Sequence, residues 1–194
     1  MATVLLFHHV QGLTPGVTAF ADALRAGGHT VHVPDLFGGR TFATIEEGSA
    51  FTRADDAPDV DALADAAAAA LPADLVYVGL SFGVMPAQRL AQTRPGAAGA
   101  VLCDACIPVT GEWAFGPWPD GIPVQVHGMD ADPFFAGEGD IEAARELVSQ
   151  VRGAQLFVYP GDAHLFMDSS LPQYDADATD LLTTRVLGLL DRVG

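Results

Sequence analysis

The sequence contains no lysine; all nine of its basic side chains are arginines, set against 25 acidic residues for a net charge of −16. A field of that sign repels phosphate backbones and anionic headgroups, which excludes nucleic acids and membrane surfaces as partners. It also disfavours multiply anionic substrates unless the pocket carries local positive charge. Cysteine is scarce, with Cys103 and Cys106 forming a lone C-x-x-C at the end of an apolar run. A redox pair would open a helix in a thioredoxin-like unit, and a zinc site would need two further ligands at matching spacing. Buried, reduced thiols are the expectation. Long hydrophobic runs are missing as well, none approaching the ~18 residues that span a bilayer. The start, Met1-Ala2-Thr3-Val4-Leu5, lacks the basic region and cleavage site of a secretory signal and reads as a core strand, so the expected location is cytoplasmic. Metal-binding spacing of the H-E-x-x-H kind is absent. His8 and His9 are neighbours on one strand and point to opposite faces, so no metal is expected.

What is present is an ordinary globular composition, 49% hydrophobic and 18% charged over 194 residues. A chain of this length suits one domain, residues 1–194, burying roughly 70% of its unfolded surface. Short apolar runs alternate with helical patterns throughout. Val4–Phe7, Thr30–Val33, Leu75–Val78, Ala100–Cys103, Val124–His127 and Gln155–Tyr159 read as strands covered on both faces. Helices are expected from Thr14-Pro15 to Arg25, Asp59 to Leu71, Val84 to Arg94, Asp140 (as cap) to Arg152, and about Ala178 to Arg192. Repeated β–α units imply an α/β fold: a three-layer αβα sandwich around a mostly parallel, doubly wound sheet. The long connections Pro34–Pro58, Asp104–Ile122 and Pro160–Asp175 all leave the carboxyl ends of strands, where sites of open α/β sheets lie.

The sharpest motif is Gly79-Leu80-Ser81-Phe82-Gly83, a G-x-S-x-G between a strand and a helix. In a nucleophile elbow the chain turns so tightly that glycine is required on either side, and the serine hydroxyl stands over the sheet edge. The N–H of Phe82 then faces the oxygen that becomes negative during attack. A serine nucleophile needs a base, and the base needs an acid to orient it. His164 lies just past the last strand, in Tyr159-Pro160-Gly161-Asp162-Ala163-His164. The preceding strand end carries Asp130 and Asp132, and Asp104 stands at an earlier strand end. Serine, aspartate, histidine is the chain order of the α/β-hydrolase triad. Trp113, Phe115, Trp118, Phe134, Phe135 and Phe166 lie on the connecting loops and imply a partly aromatic pocket.

Taken in order, Leu6-Phe7-His8-His9-Val10-Gln11-Gly12, Val33-Pro34-Asp35-Leu36-Phe37-Gly38-Gly39, the elbow, Asp130-Ala131-Asp132-Pro133-Phe134-Phe135 and Tyr159 through Phe166 resemble the dienelactone hydrolase family. The resemblance covers nearly the whole chain and implies a minimal α/β-hydrolase fold without a separate cap domain. It implies Ser81 as nucleophile, Asp132 as triad acid, His164 as base and the N–H of Val10 as second oxyanion donor beside Phe82. The chain departs from the family's founding type in three ways. Serine replaces cysteine, His9 stands at the position of a glutamate that contacts the nucleophile, and Asp168 stands where an arginine reads the substrate carboxylate. Arg40 is then the nearby candidate for reading an anionic group. With His9, Arg40, Trp113, Phe134, Phe135 and Phe166 as substrate-binding residues, the expected activity is cofactor-free hydrolysis of a small ester or lactone by a monomer or homodimer. The competing readings are acyl transfer, lyase or cyclase chemistry on the same fold, or a non-catalytic binding role.

Overall fold

In the computed structural model, which describes residues 1–194, the six apolar runs form β1 (Thr3–Phe7), β2 (Thr30–His32), β3 (Leu75–Leu80), β4 (Gly99–Cys103), β5 (Val124–Met129) and β6 (Gln155–Tyr159). All pair in parallel, in the order β2-β1-β3-β4-β5-β6. The helices are α1 (Pro15–Ala26), α2 (Ile45–Thr52), α3 (Val60–Ala69), α4 (Val84–Thr93), α5 (Asp140–Gln150) and α6 (Ala176–Val193). The pleat sorts side chains between the two faces. Val4 and Leu6 of β1, Val76 and Val78 of β3 and Val101 of β4 pack under α1 and α6. Leu5, Phe7, Leu75, Tyr77, Ala100 and Leu102 pack under α3, α4 and α5. This is the expected three-layer α/β sandwich, with no separate cap domain.

Local chemistry explains the helix boundaries. Thr14, Asp59 and Asp175 cap α1, α3 and α6 by accepting the N–H groups of Val17, Ala62 and Ala178. Asp140, expected as a cap, is instead the first residue of α5, after Gly139 in a left-handed conformation. The connection Pro34–Pro58 is not all loop, since α2 lies within it. Its signal was a capping pair: Thr44 Oγ1 accepts from the N–H of Glu47, and Glu47 Oε2 accepts from Ala43. Cys103 and Cys106 are buried and unpaired, as expected.

The sheet order reverses between β1 and β3, and the crevice of a doubly wound sheet opens at such a point. Two glycines let the chain turn there. A Cβ on Gly79 would lie 2.5 Å from the carbonyl oxygen of Gly83, and one on Gly83 would lie 2.3 Å from that of Phe7. Both obstacles are backbone and cannot yield by rotation. Gly83→Ala is therefore expected to lower stability by about 2–3 kcal/mol, seen as an earlier urea midpoint at unchanged slope.

Candidate functional site

Ser81 sits directly after β3, in a short 3₁₀ turn (Ser81–Gly83) that leads into α4. Its φ of 49° is left-handed, which an L-residue adopts only when its surroundings enforce it. Ser81 Oγ lies 2.8 Å from His164 Nε2. His164 Nδ1 lies 2.7 Å from Asp132 Oδ2, and Asp132 Oδ1 accepts from the N–H of Phe134 at 2.8 Å. A carboxylate only accepts, so the imidazole proton is on Nδ1 and Nε2 is free to accept from the serine. Asp132 is fully buried and His164 nearly so. Burial works against a charge on His164. The hydrogen bond to Asp132 and the charges of Asp104, Asp132 and Asp140 together outweigh it and raise the imidazole above its ordinary 6.5. Of the candidate acids, Asp132 is the one bonded to His164. Asp130 Oδ1 instead accepts from the N–H of Gly161, and Asp104 accepts from that of Leu165.

The loop after β1 is held from two directions. His8 Nδ1 donates to the carbonyl of His9 and its Nε2 accepts from the N–H of Leu36. His9 Nδ1 accepts from the N–H of Gln11 and its Nε2 donates to Asp168 at 2.7 Å. The next residue, Val10, lines the Ser81 cleft, and its N–H donates to no group of the protein. Gly48 of α2 lies against the Val10 carbonyl, where a Cβ would come within 2.1 Å of the oxygen. Helix α2 thereby roofs the site.

The cleft of about 430 Å³ has Ser81, Phe82, Val10, Asp104, Phe134 and His164 on its wall. A second hollow of about 360 Å³ shares Ile45, Phe134 and His164 with it and is lined also by Gln11, Asp162 and Gln173. Sequence reasoning missed Ile45, Ser49, Thr52 and Arg53 on and after α2, Met85 on α4, and Glu138 and Asp140 at the start of α5. Asp140 is pushed up to about 6 by burial and by the neighbouring Glu138.

Of the expected substrate-binding residues, Phe134 is at the cleft, with its ring 4.6 Å from that of His164. The others require correction. His9 is fully buried with both ring nitrogens engaged, so it offers the cleft nothing. Arg40 lies over the ring of Phe51 and lines a separate hollow with Asp35 and Asp56. Trp113 is 78% exposed and Phe135 is wholly buried beneath Gly128, against α5. Phe166 belongs to the core under α1 and α6. His127, at the end of the expected strand, bonds to Tyr159 and Gln125 within the sheet. Alternation along a strand or loop does not reveal which face receives a helix, and His9, His127, Phe135 and Phe166 fell on the covered side.

The family model for dienelactone hydrolases matches residues 1–194. The chain belongs to the dienelactone hydrolase family. It is thus a family hydrolase of the α/β-hydrolase fold, although no curated protein matches it. Solved structures share the fold at low identity. A dienelactone hydrolase-like promiscuous phosphotriesterase from metagenomic libraries is 19% identical, with 100% of this chain and 87% of that one aligned at a TM-score of 0.73. The monoacylglycerol lipase of Paleococcus ferrophilus is 15% identical over 99% and 95% of the two chains, at 0.69. An esterase domain from Rhodothermus marinus is 17% identical over 100% and 88%, at 0.60. No helix is long and apolar enough to cross a membrane. Two of the three positions that depart from the founding type prove to be partners: His9 and Asp168 bond to each other.

Asp168 is buried and also accepts from Thr14 Oγ1 and from the N–H and hydroxyl of Ser170. Burial alone would raise its pKa; the bonds from His9, Ser170 and Thr14 prevail and hold it down to about 2. A carboxyl depressed below its ordinary 3.8 adds stability that is complete above that pH and lost as pH falls towards 2. Denaturation midpoints measured between about pH 5 and pH 2 should therefore fall less steeply in Asp168→Asn than in the wild type. Asp168→Ala, which leaves His9 and Thr14 without their acceptor, is expected to cost about 3–5 kcal/mol.

Proposed function

We propose that the protein is a serine hydrolase that cleaves a small ester or lactone through an acyl-enzyme on Ser81. The observation that carries this reading is the unbroken hydrogen-bonded chain from Ser81 Oγ through His164 to Asp132, at 2.8 and 2.7 Å. Ser81 attacks the carbonyl carbon as His164 Nε2 takes its proton, and Asp132 orients the ring and stabilises the imidazolium. The oxyanion is received by the N–H groups of Phe82, at the start of a helix, and of Val10, which has no acceptor of its own. Each such donor contributes about 3–4 kcal/mol in comparable sites. His164 then gives its proton to the leaving alcohol, and water activated by the same nitrogen releases the acid.

The two hollows divide the substrate. The larger, with Ser81, Phe82 and Val10 on its wall, suits the acyl group. The second reaches His164 without reaching Ser81 and suits the departing alcohol, with Phe134 and Ile45 between them. Glu138, Asp140 and Asp104 on the larger wall outnumber Arg53, so an uncharged substrate is favoured over an anionic one. This separates the protein from family members that read a carboxylate.

Two outcomes test the proposal. Ser81→Ala is expected to lose fluorophosphonate labelling and to lower kcat/KM for p-nitrophenyl acetate by at least ~10³-fold, with folding intact. Undiminished hydrolysis in that variant would sink the assignment. The base must be neutral to act, so activity is lost as pH falls through the raised pKa of His164. The acid limb of kcat/KM should lie above pH 6.5, the imidazole's ordinary value.

A further inference from the structure

Asp104 is a buried carboxylate at the cleft wall that the chain from Ser81 to Asp132 does not use. It directly follows β4 in a left-handed conformation, φ 60°, and is 1% exposed. Its own N–H donates to the carbonyl of His127 at 2.7 Å. Its Oδ2 accepts from the N–H of Leu165 at 2.9 Å. Leu165 follows His164 directly and is itself left-handed, φ 62°. Two constrained residues, one from each loop, are thus clipped together immediately beside the base. The other oxygen, Oδ1, is buried with no hydrogen-bond partner in the protein.

A structural clip needs one oxygen and no charge. A buried acid with a free oxygen on the wall shared by Ser81 and His164 has a second consequence, because its charge acts on the imidazole across low-dielectric surroundings. We propose that Asp104 is a second carboxylate for His164, a positioning residue whose Oδ2 holds the histidine loop and whose charge stabilises the imidazolium. This deepens the serine-hydrolase reading and rests on it. Burial pushes Asp104 up to about 7, with the charge of Asp132 adding to the rise and His164 opposing it. The groups that face this cluster are His164 after β6, Asp132 after β5, Cys103 within β4, Tyr159 of β6, and Glu138, Asp140 and Arg53 around the cleft. Asp104 and His164 then titrate as a coupled pair.

The test separates charge from clip. Asp104→Asn keeps an oxygen for the Leu165 N–H and removes the charge, whereas Asp104→Ala removes both. In Asp104→Asn the His164 pKa, followed by ¹⁵N shifts of the ring nitrogens, should fall by about half a pH unit or more. The acid limb of kcat/KM on p-nitrophenyl acetate should move with it. The kcat should fall about tenfold with KM within about twofold, and Asp104→Ala should lose ~10²-fold or more. An Asp104→Asn protein with the parent's His164 titration and kcat would overturn the proposal, leaving only a clip. Should the variants not fold, the wild type decides: a ¹³C carboxyl resonance of Asp104 that stays at the protonated position from about pH 5 to pH 9 would overturn it equally, because no charge would then face the imidazole. If the wild type hydrolyses no ester, a shifted His164 titration in Asp104→Asn still upholds the coupling while the hydrolase reading fails.

Discussion

The structure depends on a contact between backbones: Gly83 lies against the carbonyls of Phe7 and His8, where no side chain fits. This brings the end of β1 beside the turn that follows β3, at the place where the strand order reverses. Ser81 and the N–H of Val10 become neighbours because two main chains approach within contact. Gly48 repeats the device one layer out, seating α2 on the Val10 carbonyl. Three positions without side chains, at Gly79, Gly83 and Gly48, thus set the floor and the roof of the cleft. Packing of the sheet faces then makes the arrangement rigid.

Electrostatics operates within that frame. The protein is strongly acidic, and several carboxylates lie buried near one imidazole. Taking a charge out of water is costly unless hydrogen bonds replace the solvent. Asp132 meets the requirement through His164 and Phe134, and Asp168 through His9, Thr14 and Ser170. Asp104 meets it with one oxygen only. The contrast separates a carboxylate held at about 2 from one pushed up to about 7 within the same cluster of loops. Neither reaches solvent, but Asp104 is the more deeply desolvated and faces the charge of Asp132, whereas Asp168 is bonded by His9, Ser170 and Thr14.

The positions that depart from the family pattern acquire a physical sense in three dimensions. His9 and Asp168 are 159 residues apart in sequence and bonded to each other, so the two replacements form one compensated pair. With that pair closed, neither group faces substrate. The charged groups that line the cleft come instead from the end of α2 and the start of α5, at Arg53, Glu138 and Asp140. Local signals anticipated these elements in part. The Thr44–Glu47 capping pair marks α2, yet eight residues with a single buried position give a weak amphipathic pattern.

The sequence alone determined the alternation of β and α units, the six strands, and the elbow with its glycines. These follow from short-range rules: apolar runs, caps, and the space that a missing Cβ leaves. Ser81, His164 and a short set of candidate acids could be named because each lies within a few residues of a strand end, and strand ends gather at one edge of a parallel sheet; the resemblance to the family singled out Asp132 among the acids. Tertiary structure decided which face each side chain met. It buried His9, Phe135 and Phe166, and it set Arg40 beside a different hollow. It also chose Asp132 over Asp130 and Asp104 as the partner of His164. Those outcomes depend on distances between residues far apart in the chain, and no local pattern encodes them.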